Sequence, residues 1–332
     1  MIFTDLTEND RRDIIDYVSG ETGFLRNVVE KDWWVTTVLR AIFSLPYAEH
    51  ISFKGGTNLS KCWGLIQRMS EDIDIGISRE FLGFSGELSK NQISDRLRRA
   101  CCAFVRNIMR ADVENALIAQ GIPPDAITVT VQETKVSTVD PESIYVLYHS
   151  LYVDNGYVLP QVKIEVSGRS MTEPVSKVSV RSYISENLPK LTFQDEPVDV
   201  KAVTPQRTFL EKLFLLHEEF SKPSSEIRIE RMSRHLYDVY RMMQTEISEE
   251  ALADDRLYDS VIEHRRKFIG LKSFDYDTLK KSTLKIFPEG KTCEDWEGDY
   301  KNTVANMVMG FAPSFDEIMS ALESLNRRIN LM

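Results

Sequence analysis

Residues 72 to 77 read Asp-Ile-Asp-Ile-Gly-Ile, and this alternation narrows the possible folds more than any other stretch of the chain. A period of two belongs to a β-strand with one buried face: Ile73, Ile75 and Ile77 point one way, Asp72, Asp74 and Gly76 the other. The two carboxylates at i and i+2 therefore project side by side, where they can share one divalent cation or a pair of them. Magnesium favours oxygen ligands, dehydrates reluctantly and fills its remaining positions with water and substrate phosphates, so the pair points to a phosphate-bearing substrate. A solvated polar strand face is the competing explanation for the two aspartates taken alone.

The upstream sequence adds weight to the first explanation. Ile51 to Phe53 reads as a short apolar strand, and Lys54-Gly55-Gly56-Thr57 follows as a tight turn into a helix with Leu59, Cys62, Trp63 and Leu65. Glycine backbone and helix N-terminal amides at such a turn can bind an anion. Arg68 and Ser70, just before the aspartates, are placed to add phosphate contacts, whereas Ser60 and Lys61 read as a solvated helix face. Further on, Val162, Ile164 and Val166 share one face of a strand, and Lys163 and Glu165 the other. Glu165 would complete a three-carboxylate metal site with Asp72 and Asp74, unless it is an ordinary strand charge paired with Lys163 or Arg169.

The rest of the chain organises around this core. Thr7 with Asp10 resembles a capping box, and the run from Gly23 to Phe43 carries apolar residues at helical spacing, with Glu30-Lys31-Asp32 read as solvent-facing or ion-paired. Ser94 is placed to cap a long helix toward Gly121; strands follow at Ile127 to Val131, Ile144 to Val153 and Tyr157 to Val166, the last two joined by an Asp154-Asn155-Gly156 turn. From Pro205 onward the pattern is helical, with Phe209, Leu210, Leu213, Leu216 and Phe220 on one stripe and Leu236, Val239, Tyr240 and Met243 on another. Lys212 and Asp238 interrupt these stripes, so each needs a partner: a substrate phosphate for Lys212, or each other in an interhelical salt bridge. The fold class is α+β, with a mixed or antiparallel sheet in residues 1–200 and a helical region in 201–332.

Composition excludes several classes. A net charge of −10 over 332 residues disfavours a general nucleic-acid coat protein, whose affinity comes from neutralising phosphates; any such contact must be a local patch, for which Arg265-Arg266-Lys267 and Lys280-Lys281 are available. The four cysteines show no paired spacing with histidines, so no zinc site or disulfide framework is expected. No apolar run approaches the roughly 20 residues of a membrane helix, and Met1 to Asp13 is too polar for a signal peptide; a cytoplasmic protein without membrane contact is expected.

The stretch from Phe53 to Ser78, FKGGTNLSKCWGLIQRMSEDIDIGIS, resembles the AbiEii/AbiGii toxin family of nucleotidyltransferases, in the DNA polymerase β-like superfamily. The likeness extends to VVEKDWWVTTVL, QVKIEVSGRS, RTFLEKLFLLHEE and RMSRHLYDVYRM, and so covers about residues 28 to 243. It implies a polymerase-β-like nucleotidyltransferase domain with a mixed sheet and a C-terminal helical domain that closes over the nucleotide cleft. It also implies functional roles for Gly55, Gly56, Asp72, Asp74, Lys212 and Asp238. The spacing from Gly56 to Asp72 is slightly longer than in the wider superfamily, which leaves the length of the intervening helix open. Taking this resemblance together with the local reading of the turn and strands, Asp72, Asp74 and Glu165 are expected to hold Mg2+ (or Mn2+), Asp72, Asp74, Lys212 and Asp238 to be catalytic, and Lys54, Gly55, Gly56, Thr57, Arg68, Ser70 and Lys212 to bind the nucleotide. The implied role is the toxin of a type IV toxin-antitoxin or phage-defence pair, moving NMP from an NTP to an RNA such as the tRNA 3′ end, beside a cognate winged-helix antitoxin. Nucleotidylation of a protein hydroxyl and a non-catalytic nucleotide-binding regulator are the alternatives.

Overall fold

The computed structural model describes residues 1–70, 72–132, 142–152, 158–188, 190, 192–310 and 312–332. The chain separates into two compact units, Met1–Cys62 with Met69–Val203, and Trp63–Arg68 with Thr204–Met332. The division falls slightly later than residue 200, because a strand ending at Val203 belongs to the sheet. Residues 63–68 join the helical unit, which no local pattern announces.

Seven strands of the first unit form one sheet among the described residues: β1 (Ile51–Lys54), β2 (Asp72–Ile77), β3 (Ile127–Val131), β4 (Glu142–Tyr148), β5 (Gln161–Ser167), β6 (Val175–Val180) and β7 (Val198–Val203), in the order β3-β4-β5-β2-β1-β7-β6. The sheet is mixed: β2 runs parallel to β5 and β1 parallel to β7, while the other neighbours are antiparallel. β2 and β3 have the bounds that their alternation predicts, whereas β4 stops at Tyr148 and β5 starts only at Gln161. The Asp154-Asn155-Gly156 turn lies outside the described residues. Ile73, Ile75, Ile77, Val162, Ile164 and Val166 are fully buried, so the apolar faces of β2 and β5 form the centre of the core.

Helix α1 (Glu8–Thr22) starts on Thr7, whose hydroxyl accepts from Asp10 N, and stops at the left-handed Gly23. Helix α2 (Arg26–Phe43) packs on α1, β5 and β7 and is buried almost all round. The Glu30-Lys31-Asp32 triplet is therefore not solvent-facing. Glu30 accepts from Ser150 Oγ and Leu151 N, Lys31 donates to Leu159 O, and Asp32 accepts from Tyr183 N and pairs with Lys61. Lys61, at the end of α3 (Gly55–Lys61), is thus buried rather than on a solvated face. The long helical stretch before β3, which contains α4 (Arg98–Phe104) and α5 (Arg110–Ala119), is capped by reciprocal Ser89 and Gln92 bonds rather than by Ser94. A short α6 (Tyr183–Asn187) precedes β7.

The second unit is helical: α7 (Pro205–Phe220), α8 (Arg234–Met243), α9 (Ile247–Ala253), α10 (Asp255–His264), α11 (Gly290–Met307) and α12 (Phe315–Asn330). Pro205 opens α7, where a missing N–H costs nothing. Phe209, Leu213, Leu216, Leu236, Val239, Trp296, Ile318 and Leu322 are fully buried and form its core. Among the described residues no helix is long and apolar enough to cross a membrane.

Candidate active site

Strand β2 lies between β1 and β5, and the register surrounds its aspartates with charge. Lys54 is opposite Asp74 on β1; Glu165 is beside Asp74, and Lys163 beside Asp72, on β5. After Lys54 the chain turns through Gly55 at φ +79°. A β-carbon on Gly55 would stand 1.9 Å from Asp74 Oδ2, so only glycine lets the turn pass this close to the carboxylate. Gly56, also half-exposed, continues into α3. The Thr57 hydroxyl lies 2.9 Å from Ser70 Oγ and 2.5 Å from Asp72 O, and Asn58 Nδ2 donates to Val203 O at 2.8 Å. Thr57 and Ser70, expected as phosphate contacts, thus tie the turn to the start of β2.

The Asp74 carboxyl is pushed up to about 6, foremost by burial; Lys54 opposes the shift, and the neighbouring carboxylates of Glu165 and Asp72 add to it. Carboxylates held together in this way favour either a shared proton or a bound cation. Asp72 and Asp74 offer the hard oxygen donors that a divalent cation takes. Glu165 stands beside Asp74, with a side-chain hydrogen bond to it, and is also paired with Lys163 along the strand. Among the described residues, no group of three His, Cys, Asp or Glu side chains is arranged to hold a metal.

The helical unit holds the other expected residues in one buried network. Asp238 is fully buried on α8, where Arg68 Nε and Nη2 grip its two oxygens at 2.6 and 2.7 Å and Lys212 Nζ of α7 adds a contact at 2.8 Å. Burial alone would raise the Asp238 carboxyl, but Arg68 and Lys212 outweigh it and hold the group well below the usual carboxylate range. Lys212 is depressed, first by burial and also by Arg68, with Asp238 opposing. His235 Nδ1 lies 3.3 Å from Lys212 Nζ, and burial with the nearby cations keeps that ring neutral. Asp299 of α11 accepts from Arg231 N, Ser233 N and Ser233 Oγ, which fixes the start of α8 and hence Asp238. The interhelical Lys212–Asp238 bridge exists, and Arg68 is a further member that the sequence reading had assigned to phosphate. His235 is a further member of the network, and its four-residue spacing before Val239 and place next to Arg234 carry no local signal of Lys212.

The basic clusters are internally matched: Arg265 pairs with Glu218, Arg266 with Asp277, and Lys281 with Asp255. Three of the five cations are therefore engaged by acidic partners, and Lys280 is exposed.

The family model "Nucleotidyl transferase AbiEii toxin, Type IV TA system" matches residues 37–321. Among solved structures the chain is similar in fold to MenT4, a nucleotidyltransferase toxin from Mycobacterium tuberculosis H37Rv, with a TM-score of 0.51 and 15% identity over 98% of this chain and 88% of that one. No curated protein matches the sequence.

Proposed function

The chain belongs to the AbiEii nucleotidyltransferase toxin family of type IV toxin-antitoxin systems, and on that premise we propose that it transfers NMP from an NTP to an RNA acceptor such as the tRNA 3′ end. The single observation that carries the reading is the carboxylate cluster on β2 and β5: Asp74, raised by burial and by Glu165 and Asp72, sits against a turn that has no side chain at Gly55. In this reading Asp72 and Asp74, with Glu165 beside them, would hold Mg2+ (or Mn2+). Bound there, the ion supplies charge against the triphosphate and acidifies the attacking hydroxyl. Lys54 and the Gly55-Gly56 turn border the phosphates, with Thr57 and Ser70 holding the turn in place. Lys212 is the proposed phosphate contact of the helical unit; burial and Arg68 depress its ammonium, while Asp238 opposes that shift and orients it. A nucleotidyltransferase toxin of this type implies an antitoxin partner; a winged-helix regulator is the proposed form.

The test is incubation of the purified chain with each α-labelled NTP, Mg2+ and total RNA. Label in RNA of tRNA size, with one NTP preferred, is the expected result. Label in protein instead assigns nucleotidylation of a hydroxyl side chain, and no label with any NTP leaves a nucleotide-binding regulator.

A further inference from the structure

The first unit contains a cavity of about 140 Å³ that none of the residues named above lines. Trp33, Thr37 and Arg40 of α2, Gln120 just after α5, Ile2 and Ile122 form its walls. The three α2 residues are spaced i, i+4 and i+7, so one stripe of that helix faces it. Five polar atoms of these residues, Trp33 Nε1, Thr37 Oγ1, Arg40 Nε and both amide atoms of Gln120, are buried without a hydrogen-bond partner. Trp33 and Thr37 are each only 2% exposed. Folded proteins pair almost all such groups, so a concentration of orphans around one cavity marks a missing partner.

We propose that this cavity binds an uncharged nucleobase or nucleoside. The volume holds one base and no more, and the pocket is open to solvent, so the sugar of a nucleoside would lie outside it. Ile2, Ile122 and the indole of Trp33 give the apolar walls that a flat ring prefers. Gln120 presents an unpaired donor beside an unpaired acceptor, the pattern that reads the N6/N7 edge of adenine, and the remaining orphans are N–H donors and a hydroxyl for ring nitrogens. A free anion fits less well, because the Arg40 guanidinium already pairs with Asp195 at 2.9 Å and Glu196 adds a second carboxylate to the lining. The inference is independent of the transferase reading.

Calorimetric titration of the full chain with adenosine, guanosine, cytidine and uridine, and with a short single-stranded oligoribonucleotide, tests it. One-to-one binding is expected, with adenosine about tenfold or more tighter than uridine, because a matched bidentate contact discriminates by that order. Gln120→Leu and Thr37→Val should each weaken binding about tenfold, Asp74→Asn should leave it unchanged, and without nucleoside both cavity variants should melt no lower than wild type because they remove orphaned atoms. Binding of the oligonucleotide but of no free nucleoside would retain the base recognition and make RNA its source. No binding by any probe, binding insensitive to both cavity variants, or a nucleoside-grown crystal with only ordered water in the cavity would overturn the proposal. Lowered melting of both variants would mean that water already satisfies these atoms, and counts against it equally.

Discussion

Gly55 lies against Asp74 so closely that a single added carbon would stand 1.9 Å from the carboxylate oxygen, and the glycine also holds a φ of +79° that other residues resist. Gly55→Ala therefore carries two penalties, a left-handed backbone worth roughly 1–2 kcal/mol and a forced displacement of Asp74. The expected result is a moderate loss in denaturant midpoint with a loss of transfer of ~10²-fold or more, since an aspartate moved by about an ångström no longer holds its geometry. An alanine variant with near wild-type turnover would show that Asp74 is not confined by this turn.

Asp74→Asn and Asp72→Ala should each reduce transfer at least about a hundredfold, the usual scale for removing a group that stabilises developing charge. Stability should move the other way. The Asp74 carboxyl is raised to about 6, so its ionisation in the folded state is disfavoured; stability linked to it is present at low pH and lost as pH rises through about 6. Above that pH and without metal, Asp74→Asn should melt at or above the wild-type temperature. Turnover above about a tenth of wild type would break the metal assignment.

Strand β2 was legible to the residue because its signal is local: two-residue periodicity depends only on adjacent side chains. The same logic put Lys163 and Glu165 on one face, but it could not say that Glu165 contacts both Lys163 and, on the neighbouring strand, Asp74. What eluded the sequence depends on distant partners. Arg68 meets Asp238 across 170 positions, and the Glu30-Lys31-Asp32 triplet is buried by Ser150, Leu151, Leu159, Lys61 and Tyr183. A charged triplet on a helix is exposed by default, and only tertiary packing reverses that. The close approach of Gly55 to Asp74 was invisible for the same reason, since that neighbour is a side chain on another strand.

In the helical unit the two partners of Asp238 predict unequal mutants. Asp238→Asn leaves the buried Arg68 and Lys212 facing each other without a counter-charge, a change worth about 3–5 kcal/mol of destabilisation. Lys212→Met should cost much less, because Arg68 still satisfies Asp238, yet it should raise KM for the NTP and lower kcat. Urea unfolding with steady-state kinetics on both variants separates these effects. Recovery of full activity by exchanging the residues, Lys212→Asp with Asp238→Lys, would exclude a phosphate role for Lys212.

His217 supplies an acid-sensitive joint in the same unit. It is 4% exposed, its Nδ1 accepts from Lys285 N at 2.9 Å, and burial brings its pKa from 6.5 down to about 4. Between those values the unfolded chain binds the proton more readily, so the stabilisation is complete above pH 6.5 and is lost as pH falls toward 4. The shift corresponds to about 3 kcal/mol. His217→Gln should flatten the fall of stability between pH 6.5 and 4.5 relative to wild type, and parallel curves for the two proteins would refute the assignment.

The proposed transfer to RNA can be probed through its salt dependence. The net charge is −10, and Arg265, Arg266 and Lys281 are each matched by an acidic partner. Each phosphate contact to a single strand contributes a slope of about −0.7 to log K against log salt, so two or three contacts predict a slope of about −2. A much steeper slope would require phosphate contacts beyond the acceptor end, from cations other than these three. Charge reversal at Arg265 is a poor probe, because it sets a carboxylate against the buried Glu218 and destabilises the helical unit before it reports on RNA. Arg266→Ala is cleaner: Arg266 is exposed and its pair with Asp277 is a surface one, so stability should change by less than about 1 kcal/mol. Transfer should then persist, with the slope reduced by less than one contact. For a toxin that blocks growth by this transfer, expression of the wild-type chain and of Arg266→Ala should both arrest growth, while Asp74→Asn at equal soluble level should not. Normal growth at high levels of soluble wild-type protein, with no antitoxin present, would remove the toxin role even if transfer to RNA were seen in the test tube.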